Sequence, residues 1–114
     1  MKKVFLLAVS FFVFSCSEKE EVPEWLLSEA QMVELLVDFR VAEGKVANLN
    51  IKNDSGAVVF KILERKVFEA HQIDTTIYKN SYQYYILHPE KAVGIFDAVL
   101  DSLNSMQREI AAGN

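Results

Sequence analysis

Three side chains of the kind that build a nucleophile and its base lie close together in this chain: His71, Asp74 and Ser81. On paper Ser81 would attack, His71 would take its proton and Asp74 would orient the ring, the outline of a minor hydrolase using His71. Each also has a structural use. Asp74 precedes a helical stretch, where a carboxylate accepts free backbone N–H groups. Ser81 falls between tyrosines on an apolar face, and His71 stands at a helix end, where its ring can meet free carbonyls. A metal centre from His71, His88 and a carboxylate would need distant segments to converge, because the sequence has no HxxxH or ExxH pair. Trp25, Tyr82 and Tyr84, with Tyr78 and Tyr85 nearby, supply rings for a small-ligand or glycan platform. The alternative use of such rings is core packing with the hydroxyl reaching a surface partner. The balance points to a chain with no catalytic residues, no metal and no cofactor.

The lone cysteine carries a more specific signal. Lys2 and Lys3 precede an apolar run from Val4 to Ser15, the charged and apolar regions of a secretory leader. That run is too short to span a hydrocarbon core about 30 Å thick. It ends in Val13-Phe14-Ser15-Cys16, which resembles the lipobox of bacterial lipoproteins. The resemblance implies that Cys16 is acylated, becomes the first residue after the leader is cut, and holds the protein to membrane lipid. Residues 1–15 are then the signal peptide, and 16–22 are the lipidated cysteine and its tether. The acidic Ser17-Glu18-Lys19-Glu20-Glu21 resembles the export signal that carries such lipoproteins to the outer face of the outer membrane; a solvated linker is the plainer use.

Behind these groups stand the elements that must position them. Ser28 and Gln31 have capping-box spacing, and Leu27 and Met32 have hydrophobic-staple spacing, so a helix should start at Ser28. Met32, Leu35, Leu36, Phe39, Ala42 and Val46 line its inner face. Asn53-Asp54-Ser55-Gly56 reads as a turn, with a second helix expected from about Ala57 to Ala70 on Val59, Phe60, Leu63 and Val67. Asp74 should cap a short third helix through about Tyr85, with Ile77, Tyr78, Ser81, Tyr82 and Tyr85 inward. Pro89 fits the first position of a last helix running to about Ala112. Its inner side is expected to be Ala92, Val93, Phe96, Val99, Leu100, Leu103, Met106 and Ile110, with Asp97, Asp101, Asn104 and Arg108 opposite. The sequence thus predicts an all-α fold over residues 23–112, a small bundle of four helices, two long and two short, centred on Phe39, Phe60, Phe96 and Leu103.

Several residues in this order resemble a family of small Bacteroidetes lipoproteins, domain of unknown function 4296. They are Pro23 and Leu26; Met32, Leu35 and Asp38; the run Phe68-Glu69-Ala70-His71-Gln72-Ile73-Asp74; Tyr78, Ser81, Tyr84 and Tyr85 before Pro89; and Val99 with Leu103. Tyr78 stands where the family more often has Phe. The resemblance implies an envelope lipoprotein and carries no catalytic residue.

At 114 residues, with 51% hydrophobic and 25% charged residues, the chain has room for one modest core. A formal net charge of −4 disfavours nucleic acid as a partner. One cysteine excludes an intramolecular disulfide. Val33, Val37 and Val41 form a second apolar stripe on the first helix, which must either pack within the bundle or meet a partner. Asp97 and Asp101, like charges one turn apart, suit a solvated face or a basic partner. The expected protein is a lipid-anchored outer-membrane module that binds another, unidentified envelope protein.

Overall fold

The structure is a computed structural model and describes residues 22–113; Cys16 and the acidic run lie outside the described residues. Among the described residues four helices follow one another: α1 Glu29–Asn48, α2 Asn53–His71, α3 Thr75–Ile86 and α4 Pro89–Ala112. The all-α bundle expected from the periodicity is present, with three long helices and one short.

Local sequence explains where each helix begins. Ser28 Oγ accepts the Gln31 N–H at 3.1 Å while Gln31 Oε1 accepts the Ser28 N–H at 2.9 Å, a complete capping box for α1. Asp74 Oδ1 accepts the Thr76 N–H at 2.7 Å and caps α3. Pro89 opens α4 without losing a hydrogen bond.

The second helix corrects the expectation. Asn53-Asp54-Ser55-Gly56 is its first turn, closed by the Gly56 N–H on the Lys52 carbonyl at 2.9 Å. Polar residues that favour turns equally favour a helix N-terminus, where Asp54 also meets the positive end of the helix dipole. Gly56 is buried where α2 crosses α1, and a Cβ there would lie 3.4 Å from Val46 Cγ1.

α1 is central. α2 and α4 each pack along it, and α3 packs on the N-terminal part of α4. The core holds Leu27, Met32, Leu35, Val37, Phe39, Phe68, Tyr85, Ile95 and Val99. Phe39, Phe68 and Tyr78 meet edge to face with centroids 5.3 to 5.4 Å apart, tying α1, α2 and α3 together.

One open alternative about this core closes and one expectation changes. The valine stripe lies inside the bundle: Val37 is only 7% exposed, and Val33 and Val41 are partly buried against the core. With neighbours on two sides, α1 needs an apolar arc wider than one stripe. On α4 the seam runs through Ala92, Ile95 and Val99, with Leu103 partly buried. Ile95 was not among the expected inner residues, whereas Phe96 is 38% exposed and Val93, Leu100 and Ile110 are open. A helix that packs mainly on one partner buries a narrow seam, so the rest of a broad apolar face stays outside. Phe60 is half-buried.

Candidate functional site

The residues singled out for chemistry lie at the end of α2 and along α3, and each has its own partner. Ser81 is fully buried, and its Oγ accepts the Leu27 N–H at 3.1 Å. One turn later the Tyr85 hydroxyl donates to the Leu27 carbonyl at 2.6 Å. The two side chains hold both polar groups of one residue, and the Leu27 side chain is part of the core. A clamp of this kind fixes the segment before α1, which is itself turned by the Leu26 N–H on the Pro23 carbonyl at 3.2 Å. The spacing of Ser81 and Tyr85 puts both on one helix face.

The Tyr85 phenol is pushed above its ordinary pKa, first by burial, then by the Glu29 carboxylate and Tyr84, with Lys91 opposing. Burial is also the main reason that Tyr78 is pushed up to about 12, with Tyr82 and Glu64 adding to it. Both rings are held neutral as hydrogen-bonding and packing groups.

His71 is engaged elsewhere. Its Nε2–H donates to Asp38 Oδ2 at 2.6 Å, and Glu34 Oε2 lies 3.9 Å from Nδ1. Glu34 and Asp38 are one turn apart on α1, and the antiparallel return of α2 delivers the histidine to them. The chain leaves α2 by a Schellman turn: the Gln72 N–H bonds the Glu69 carbonyl at 3.2 Å and the Ile73 N–H bonds the Phe68 carbonyl at 3.1 Å. Gln72 takes the left-handed conformation at φ 54. Each residue of Phe68-Glu69-Ala70-His71-Gln72-Ile73-Asp74 other than Ala70 therefore has a named place in this corner, from core ring to cap of the next helix.

The hydrolase sketch does not assemble. Ser81 bonds Leu27, His71 bonds Asp38 and Asp74 bonds Thr76, three separate partners. The aromatic platform does not assemble either. Tyr82 is tilted against Tyr78 at 6.1 Å, whereas Tyr84 stacks on His88 at 4.0 Å with Lys91 Nζ 3.4 Å from its hydroxyl. Two residues apart on one helix, Tyr82 and Tyr84 point in nearly opposite directions. Trp25 is 46% exposed. His88 Nδ1–H donates to the Tyr84 carbonyl at 2.7 Å, which closes the end of α3. Among the described residues no three His, Cys, Asp or Glu side chains are grouped to hold a metal ion, and no helix is long and apolar enough to cross a membrane.

The Asp38–His71 pair was not anticipated as a pair. Its signal was available: Glu34 and Asp38 at helical spacing on the flank of α1's apolar face, and a histidine at the end of the next helix.

The family model described as domain of unknown function (DUF4296) matches residues 23–109. No curated protein and no solved structure matches the chain. The chain belongs to the DUF4296 family.

Proposed function

We propose that this DUF4296 chain is a lipid-anchored module of the outer membrane envelope, held to lipid by acylated Cys16, that acts by binding another envelope component without catalytic chemistry of its own. The observation that carries the anchor is the sequence Val13-Phe14-Ser15-Cys16 at the end of a short apolar run. One acyl chain gives marginal membrane binding at about 0.8 kcal/mol per buried methylene, so a diacylated cysteine supplies the two chains that stable anchoring needs.

The non-catalytic part is supported by the geometry of the candidate groups. Ser81, His71, Asp74 and Tyr85 each spend a polar atom on holding one segment of the fold to another. A serine whose hydroxyl accepts a backbone N–H in the core has no approach for substrate. The clamp on Leu27 supports the lipoprotein reading, since an anchor at Cys16 would pull on the segment that the clamp holds to the bundle.

Mass spectrometry of the membrane-extracted protein tests the anchor. A terminal peptide that starts at Cys16 and carries diacylglycerol is expected, and an intact Met1 terminus or an unmodified thiol would refute it. Replacing Glu18, Glu20 and Glu21 with Ala tests surface display, with reduced protease accessibility on whole cells as the expected result.

A further inference from the structure

α2 and α4 pack on α1 and, among the described residues, carry apolar side chains that stay exposed. On α2, Val58 is 60% and Ile62 48% exposed; on α4, Val93 is 60% and Leu100 58% exposed, with Phe96 beside them. At 100° per residue, Val58, Ile62, Lys61, Arg65 and Lys66 fall in an arc of about 140° on α2. Val93, Phe96, Leu100, Glu90, Asp97 and Asp101 fall in an arc of about the same width on α4. One stripe is therefore edged by three cations and the other by three carboxylates, all of them exposed. None of the six takes part in an ion pair among the described residues. Asp54 and Glu69 stand at the two ends of the basic stripe, and Arg108 lies beyond the acidic one.

The charges select among the ways that two copies can meet. Stripe α2 on stripe α2 sets cations against cations, and α4 on α4 sets carboxylates against carboxylates; like charges brought together at a contact are strongly unfavourable. α2 on α4 pairs opposite signs. In an antiparallel register with Ile62 opposite Leu100, Lys61 falls opposite Asp101 and Arg65 opposite Asp97. The same register sets Asp54 opposite Arg108. One apolar pair and three pairs of opposite charge match in this alignment.

We infer that the exposed face of α2 docks on the exposed face of α4 of a second copy of this chain. The contact is heterologous, so each added copy leaves one stripe of each kind free and the product is a head-to-tail row. One helix-on-helix seam is at the small end of protein interfaces, which makes the association weak and dependent on concentration. Exposed ion pairs at its rim make it sensitive to salt.

Sedimentation velocity of the purified protein tests this. At about 0.05 M salt the weight-average sedimentation coefficient should rise with concentration, and at about 0.5 M salt the rise should be lost. Lys61→Glu with Arg65→Glu should abolish it, and so should Asp97→Lys with Asp101→Lys. An equal mixture of the two variants should restore it, because each now presents the stripe that the other lacks. A chain carrying all four substitutions should also associate, which keeps the test valid if one variant fails to fold. A concentration-independent monomer at low salt, association undiminished in the variants, or a mixture no larger than its separate components would each overturn the inference.

Discussion

The clamp on Leu27 makes the sharpest quantitative demand on the structure. In Ser81→Ala the Leu27 N–H loses its acceptor at a site where Ser81 is 0% exposed, and an unsatisfied buried donor costs about 1–3 kcal/mol. In Tyr85→Phe the Leu27 carbonyl loses a 2.6 Å hydrogen bond, again at about 1–3 kcal/mol, with the ring and its packing retained. Against a total stability of about 5–15 kcal/mol, either loss is visible in urea denaturation. The two bonds hold one residue, so they should not act independently. Once the segment is released by one substitution, the second has less to lose, and the double variant should fall short of the sum by at least about 0.5 kcal/mol. Trp25, the single tryptophan, lies two residues before Leu27 and reports the segment locally. Its fluorescence in either variant should change at lower urea than the helical circular dichroism, because the segment detaches before the bundle unfolds. Losses under about 0.5 kcal/mol in both variants, strictly additive and with coincident transitions, would show that the clamp contributes nothing beyond geometry.

Further outcomes follow from the observed burial. Ile95→Ala should cost about 2–5 kcal/mol by chemical denaturation, whereas Phe96→Ala, at a position 38% exposed, should cost clearly less, about 1–2 kcal/mol; the reverse order would move the α4 seam. Val37→Glu should lower stability by more than about 3 kcal/mol or prevent folding, since it puts a charge where 7% of the residue reaches solvent. The raised Tyr78 pKa makes stability fall in alkali. The unfolded chain releases that proton near pH 10 while the native ring holds it to about 12, so stability is full below pH 10 and is lost as pH rises through that window. Tyr78→Phe should flatten this decline in denaturation midpoints measured from pH 9 to 12, and an unchanged slope would assign the decline to other groups.

The features that could be read from the sequence are those settled within a few residues. Ser28 with Gln31, Asp74 and Pro89 each act on their own helix end, and all three occupy the positions that their spacing predicts. What could not be read depends on neighbours remote in the chain. Asn53-Asp54-Ser55-Gly56 has the chemistry of a turn and of a first helical turn alike, and the approach of α1 at Val46 decides between them. α4 carries more apolar surface than α1 and α3 cover, so periodicity locates an apolar side without choosing the seam; Ile95 is buried and Val93 and Leu100 stay outside. Val37 was ambiguous for the opposite reason, because a helix with partners on two sides buries stripes that a one-sided count places at the surface.

The clamp shows how a polar residue can look catalytic and serve the backbone. Ser81 lies among apolar positions on the buried face of α3, which is the signature of a nucleophile in a pocket and equally of an acceptor for a buried N–H. What separates the two is the partner, here Leu27, 54 residues away in the chain. Leu27 itself carries no mark in the sequence, since a backbone N–H and carbonyl are the same for every residue except proline. The informative sign was Tyr85 one turn after Ser81, a second hydroxyl on the same face. A lone buried serine is ambiguous; a buried serine and tyrosine at helical spacing can grip both the N–H and the carbonyl of a single residue, and that demand explains why Ser81 and Tyr85 stand together before Pro89.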